Sequence, residues 1–176
     1  MELEDAILSR RSIRRFKGTD IPEEAVTRLL ELASAAPSAG NLQARDFVVV
    51  RNKDTRRALS NAALGQEFVA EAPVVVVVCG NKSRSGRHYG SRGKELYYIQ
   101  DADAAIENLL LAIHGAGYGS CWVGAFEEKA VSKVLKLPGD IRPLAIIPIG
   151  VPASPAKSSG KPARYPLDKL VHYEKW

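Results

Sequence analysis

At 176 residues, 45% hydrophobic and 26% charged, the chain has the size and balance of one soluble domain, residues 1–176, with a sizeable core. Its net charge of +5 permits a polyanionic partner, but the basic residues fall in three local clusters (Arg10 to Lys17, Lys82 to Lys94, Lys157 to Arg164) without zinc, RRM-like or KH-like spacing, so no nucleic-acid partner is expected. The acidic start Met1-Glu2-Leu3-Glu4-Asp5 reads as neither a secretory signal nor a transit peptide, and the longest apolar run, Val74 to Cys79, is too short for a bilayer, so a cytoplasmic protein without membrane contact is expected.

A short apolar-periodic segment (Leu3, Ala6, Ile7) leads into Arg10-Arg11-Ser12-Ile13-Arg14-Arg15-Phe16. Four arginines and a hydroxyl this close repel one another unless water or an anion accepts them, and the planar guanidinium suits phosphate oxygens. The run alone admits a solvated basic helix end or an anion site. Asp20-Ile21-Pro22-Glu23 predicts a helix start with Asp20 as cap, followed by Ala25, Val26, Leu29, Leu30 and Ala33 at helical spacing and a stop before Pro37. Ala36-Pro37-Ser38-Ala39-Gly40-Asn41-Leu42-Gln43 is small, polar and dense in turn formers; by itself it reads as a helix-to-strand connection. Asp46 to Val50 reads as a buried strand, and Lys53 to Leu64 as an amphipathic helix with Ala58, Leu59, Ala62 and Ala63 inward.

Val74 to Val78 is an unbroken valine run; without alternation it predicts a central strand covered by helices on both faces. Asn81 to Lys94, nearly free of apolar residues, predicts a long basic flap. Asp101 to Ala116 carries the widest apolar face, through Ala102, Ala105, Ile106, Leu109, Leu110 and Ile113; His114 there reads as a hydrogen-bonded packing residue. A short strand at Cys121-Trp122-Val123, a helix within Glu127 to Leu137 and a last strand from Pro143 to Val151 follow. Residues 152–166 hold no core-forming side chains, whereas Leu167, Leu170, Val171, Tyr173 and Trp176 need a surface to cover them, which an arm packed on a partner subunit would supply. Cys79 and Cys121 lie in apolar runs and are read as free, buried and inert.

No P-loop, dinucleotide fingerprint, zinc-binding helix or Ser/His/Asp order is present. Without a nucleophile or an acid–base pair, enzymatic chemistry would have to come from a cofactor.

Four stretches in register, Arg10 to Phe16, Ala36 to Gln43, Gly119-Ser120-Cys121-Trp122-Val123-Gly124-Ala125-Phe126, and Arg164-Tyr165-Pro166-Leu167 with His172-Tyr173-Glu174, resemble the FMN-dependent nitroreductase family over almost the whole chain. The resemblance implies an α+β, three-layer fold: a central, mostly antiparallel sheet with helices on both faces. It also implies a homodimer whose C-terminal arm, 152–176, is exchanged with the partner subunit, and one FMN in each interface cleft. Carried over by position, Arg10, Arg164 and Lys161 meet the FMN phosphate, Ser12 the ribityl chain, and Arg14 the N1/O2 edge of the ring, with Arg11 a further candidate. Pro37, Ser38, Asn41 and Gln43 reach the flavin of the other subunit, and backbone at Val123, Gly124 and Ala125 approaches N5. Many family members have a glutamate where this sequence has Gly124, which leaves N5 to backbone donors.

The implied activity is hydride uptake from NADPH or NADH and ping-pong reduction of a small flat acceptor such as a nitroaromatic or quinone. Arg14 then acts as electrostatic stabiliser, with no catalytic side chain. The basic flap is expected to attract the dinucleotide phosphates. A flavin- or phosphoanion-binding module without turnover, and a family relative with dehydrogenase or dehalogenase activity, are the competing readings.

Overall fold

The computed structural model describes residues 1–154 and 163–176. Its centre is the valine run: β2 (Val74–Asn81) pairs antiparallel with β1 (Arg45–Val50) on one side and β4 (Ile141–Gly150) on the other. The short β3 (Gly119–Ser120) pairs antiparallel with the end of β4, giving the order β1-β2-β4-β3. The five valines are fully buried, and successive ones face opposite sides. Val74, Val76 and Val78 join a core with α2 (Glu23–Ser34) and α6 (Tyr98–Gly115), whereas Val75 and Val77 join one with α3 (Lys53–Ala62), α4 (Phe68–Glu71) and α7 (Glu128–Leu135). Each valine contributes about 2 kcal/mol of transfer free energy, so a strand sandwiched this way is strongly stabilised by burial.

The apolar stripe of α6 buries as its spacing predicts, through Ala102, Ala105, Ile106, Leu109, Leu110 and Ile113. Pro143 lies where the β2–β4 register shifts between Val78 and Cys79, a bulge that tolerates a residue without an N–H.

Three local expectations change. Asp20 does not cap α2, whose N-cap is Pro22; its Oδ1 instead accepts from the Ile21 N–H and from Arg51, both at 2.9 Å. Asn81 to Lys94 is not a flap: α5 (Lys82–Arg92) begins there, with Asn81 Oδ1 accepting the Arg84 N–H at 2.9 Å, and a single π-turn (Gly93–Tyr97) joins it to α6. The strand expected at Cys121 to Val123 shrinks to Gly119–Ser120 plus a single bridge between Val123 and Ile146.

After α1 (Leu3–Ser9) the chain runs extended along the outer edge of the sheet. Ser12 bridges Ser120 in parallel, the Ile13 N–H donates to the Ser120 carbonyl at 2.8 Å, and Phe16 bridges Pro152. The approach needs glycine opposite: a Cβ on Gly119 would come within 2.9 Å of Ile13, and one on Gly150 within 2.8 Å of the Phe16 ring. Beyond the undescribed stretch 155–162, Tyr165, Leu167, Leu170, Tyr173 and Trp176 are exposed. No helix among the described residues is long and apolar enough to cross a membrane.

Candidate functional site

The arginine run separates into side chains with different jobs. Arg11 turns back on α1, its Nη1 donating to the carbonyls of Leu8 and Arg10 at 2.8 Å each, where the helix leaves acceptors unpaired. Arg10 is half-buried, with only a 4.0 Å approach to Glu107. Ser12, Arg14 and Arg15 are exposed, and among the described residues neither Arg14 nor Arg15 has an ion-pair partner. The Arg14 guanidinium lies 5.9 Å from the centre of the Phe68 ring. Arg10, Arg11, Ile13 and Ser120 also line a cavity of about 200 Å³ together with His114. His114 Nε2 sits 2.7 Å from Ser9 Oγ, tying α1 to α6; burial, then Arg10 and Arg11, hold its pKa below the ordinary value.

Val123, Gly124 and Ala125 follow β3 on the same side. Val123 exchanges both backbone hydrogen bonds with Ile146 at 3.0 Å, and the Ala125 carbonyl accepts from Gln66 Nε2 at 3.1 Å. Gly124 and Ala125 are exposed, and a Cβ on Gly124 would meet only Trp122 Nε1 at 3.8 Å. Open space therefore borders this backbone, and a flat group can approach it closely. Uncommitted guanidinium groups, a hydroxyl and bare backbone along one edge are the donor set that a phosphate, a polyol chain and a planar heterocycle require; these residues fit FMN.

Pro37, Ser38, Asn41 and Gln43 lie elsewhere. Their loop leads into β1, whose Arg45 is level with Gly80, whereas Ser12 and Ser120 are level with Ile149 and Val74. The two groups occupy opposite edges of the sheet and are about 20 Å apart along the strands. The loop is contorted, with Gly40, Asn41 and Gln43 all left-handed at φ values of 56°, 54° and 50°.

Two buried charges beneath this loop escape the sequence reading. Arg45 donates to the carbonyls of Ser34 and Ala36 at 2.7 Å and to those of Pro37 and Asp101 at 3.3 Å. Desolvation lowers the Arg45 pKa, and the nearby Asp101 opposes the shift. The Asp101 carboxylate accepts the Ala39 N–H at 2.9 Å and the Ala44 N–H at 3.2 Å. One signal was available: Asp101 stands in line with Ala105 and Leu109 at four-residue spacing, a carboxylate on the core stripe of α6.

The α5 helix closes over the same loop. Arg84 donates to the Gln43 carbonyl at 2.6 Å and pairs with Asp46 at 2.9 Å, while a Cβ on Gly40 would lie 2.5 Å from the Tyr89 hydroxyl. Arg92 bonds the Tyr97 hydroxyl at 2.9 Å and lies over that ring. Of the three flap arginines, Arg87 alone makes no side-chain hydrogen bond among the described residues. Arg164 is exposed on the C-terminal segment, and Lys161 lies outside the described residues. Cys79 and Cys121 are free and buried, and burial, then Asp46, pushes the Cys79 thiol up to about 12.

A profile of the Nitroreductase family matches residues 7–67 and 60–151. The chain is 34% identical to a Thermus thermophilus protein named NADH dehydrogenase, over 97% of this chain and 95% of that one. It is 28% identical to the Bacillus subtilis FMN reductase (NADPH), over 96% and 72%. The solved NfrA1 nitroreductase of B. subtilis superposes with a TM-score of 0.87 at 27% identity, over 99% of this chain and 74% of that one. The chain belongs to the nitroreductase family, and the α+β fold implied by its motifs is the fold observed.

Proposed function

We propose that the chain is an NAD(P)H-dependent FMN oxidoreductase that works as a homodimer, each site built from two subunits. The observation that carries this reading is the separation of the two motif groups: within one subunit, the arginine wall and the Pro37-to-Gln43 loop occupy opposite corners of the sheet. A second copy of the chain brings one subunit's loop to the other's arginines. The relatives named NADH dehydrogenase and FMN reductase support the reaction class.

Arg10 and Arg164 would hold the phosphate, with Lys161 assisting, and Ser12 would donate to the ribityl chain. Arg14, poised over Phe68, would place positive charge at the ring's N1/O2 edge, and the Gly124–Ala125 backbone would face N5. From the partner, Pro37, Ser38, Asn41 and Gln43 would close the cleft. Bound there, FMN would supply the redox chemistry, taking a hydride from NADPH or NADH and delivering electrons to an acceptor.

The chain's own contribution is positional: it binds, orients and excludes water, and His114 beside Arg10 and Arg11 ties α1 to α6 through Ser9. Nicotinamide and a flat acceptor, a nitroaromatic or quinone, take turns in one cleft, which makes the kinetics ping-pong. The arm 163–176, apolar and exposed in the single chain, extends to the partner.

Purified protein tests the reading. Yellow dimers that bleach anaerobically with NADPH or NADH, and parallel double-reciprocal plots with a quinone, are expected. Colourless protein that cannot be reconstituted with FMN refutes it.

A further inference from the structure

The loop from Pro37 to Gln43 has an unusual support. Three of its residues are left-handed; glycine and asparagine tolerate this region, but Gln43 carries a side chain that disfavours it. Such a shape persists only where surrounding structure over-determines it. Within the loop, the Ser38 hydroxyl accepts the Gln43 N–H at 2.9 Å. The Asn41 and Leu42 N–H groups also donate to the Ser38 and Ala39 carbonyls at 3.0 and 3.1 Å, and Gln43 Nε2 donates to the Asn41 carbonyl at 3.3 Å. Charged support comes from below and beside the loop, with Asp101 on the Ala39 and Ala44 amides, Arg45 on the Ser34, Ala36 and Pro37 carbonyls, and Arg84 on the Gln43 carbonyl.

Asp101 is 3% and Arg45 5% exposed, yet their side chains form no ion pair with each other; each charge is solvated by backbone dipoles instead. A core would be better served by apolar side chains in these two positions than by two charges withdrawn from water. What the charges gain is a fixed backbone, because a carboxylate with two amides and a fork with four carbonyls define a geometry that apolar packing does not.

We propose that Asp101 and Arg45, with Arg84 from α5, are positioning residues that hold the Pro37-to-Gln43 loop in its flavin-competent shape before any cofactor or partner is engaged. The proposal rests on the functional reading above. It moves part of the cofactor affinity to side chains that never touch the cofactor, since a loop already ordered loses less entropy on binding.

The test pairs amide exchange in the flavin-free full-length protein with FMN affinity from fluorescence quenching. Asp101→Asn keeps the size of the side chain and removes its charge and one acceptor. The Ala39 and Ala44 amides are expected to exchange at least tenfold faster, and FMN to bind about tenfold more weakly, the loss of about one hydrogen bond's worth of order. Arg45→Lys should act in the same direction. Val131→Ala, in the core on the other side of the sheet, should lower the thermal midpoint while leaving both readouts alone.

Arg84→Gln alters an exposed side chain, folds regardless of the buried pair, and should weaken FMN about threefold. Loop amides that loosen with FMN affinity unchanged overturn the proposal, as does an affinity loss that tracks thermal stability equally in Val131→Ala. Wild-type protein that binds no FMN defeats the functional reading and this proposal together, whereas wild-type binding with unaffected variants defeats the proposal alone.

Discussion

Two stretches of this chain look alike in sequence, each a cluster of arginines and lysines around small residues: 10–17 and 82–94. In the fold they differ completely. In the first, the backbone is fixed by β3 and by Val151 to Ala153 just after β4, while Arg14 and Arg15 stay exposed and unpaired among the described residues. In the second, Arg84 is engaged by two carbonyls and a carboxylate, and Arg92 by a tyrosine. An arginine whose donors are satisfied by its own protein is structural; one whose backbone is anchored and whose fork is free can receive an anion. Density of positive charge does not separate the two cases, and the acceptors within reach do.

The strongest way to sharpen this contrast is to remove the most fully engaged arginine. Arg45→Ala strands four carbonyls in the interior and should cost about 3 kcal/mol in urea unfolding, whereas Arg15→Ala should change stability by less than about 0.5 kcal/mol. Next in size is the division of labour inside the run. Arg10→Gln should weaken FMN about thirtyfold, near 2 kcal/mol, and Arg11→Gln less than about threefold, because Arg11 already caps α1. Titration of both variants against FMN decides it, and the reverse order would exchange their roles.

Gly119→Ala tests whether the anchoring of the wall matters. A methyl 2.9 Å from Ile13 should push the segment from the sheet, lowering stability by about 1.5 kcal/mol and weakening FMN in parallel. Smaller again is the split within α5. At saturating FMN, Arg84→Gln should lower stability by about 1 kcal/mol and shift the KM for NADPH and NADH less than Arg87→Gln does, which should raise that KM about threefold and leave unfolding unchanged. A KM change in Arg84→Gln alone would return the helix to the role expected of a flap.

The smallest effect concerns pH. His114 is held below its ordinary value of 6.5 by burial and by Arg10 and Arg11, so the unfolded chain takes up the proton more readily than the folded one. Its contribution is complete above about pH 6.5 and is lost as pH falls below that value. Wild-type protein should therefore lose more stability between pH 7 and 5.5 than His114→Gln does, as thermal melts across that window will register.

The fold was largely legible because its main devices are local. An unbroken valine run can only be a strand covered twice, and the α6 stripe repeats without interruption from Ala102 to Ile113. What escaped depends on partners distant in sequence. Asp20 has the chemistry of a cap, but Arg51, thirty-one residues on, captures its carboxylate. The helix α5 hid behind its glycines, and Asn81 was the overlooked start signal. Motif order pointed to the arginine run and the Pro37-to-Gln43 loop as proposed site elements, but the Asp101–Arg45 support joins positions more than fifty residues apart, and no spacing rule links them.

The buried cysteines bear on how such a protein ages. A reduced flavin that meets oxygen yields peroxide beside its own polypeptide, and peroxide attacks thiolates first and methionine sulfur next. With its thiol pushed up to about 12, Cys79 offers almost no thiolate at neutral pH. Cys121 is buried as well, and Met1 is the one methionine of the chain. If FMN binds as proposed and its reduced form meets oxygen, the two buried cysteines present little reactive sulfur to the peroxide formed.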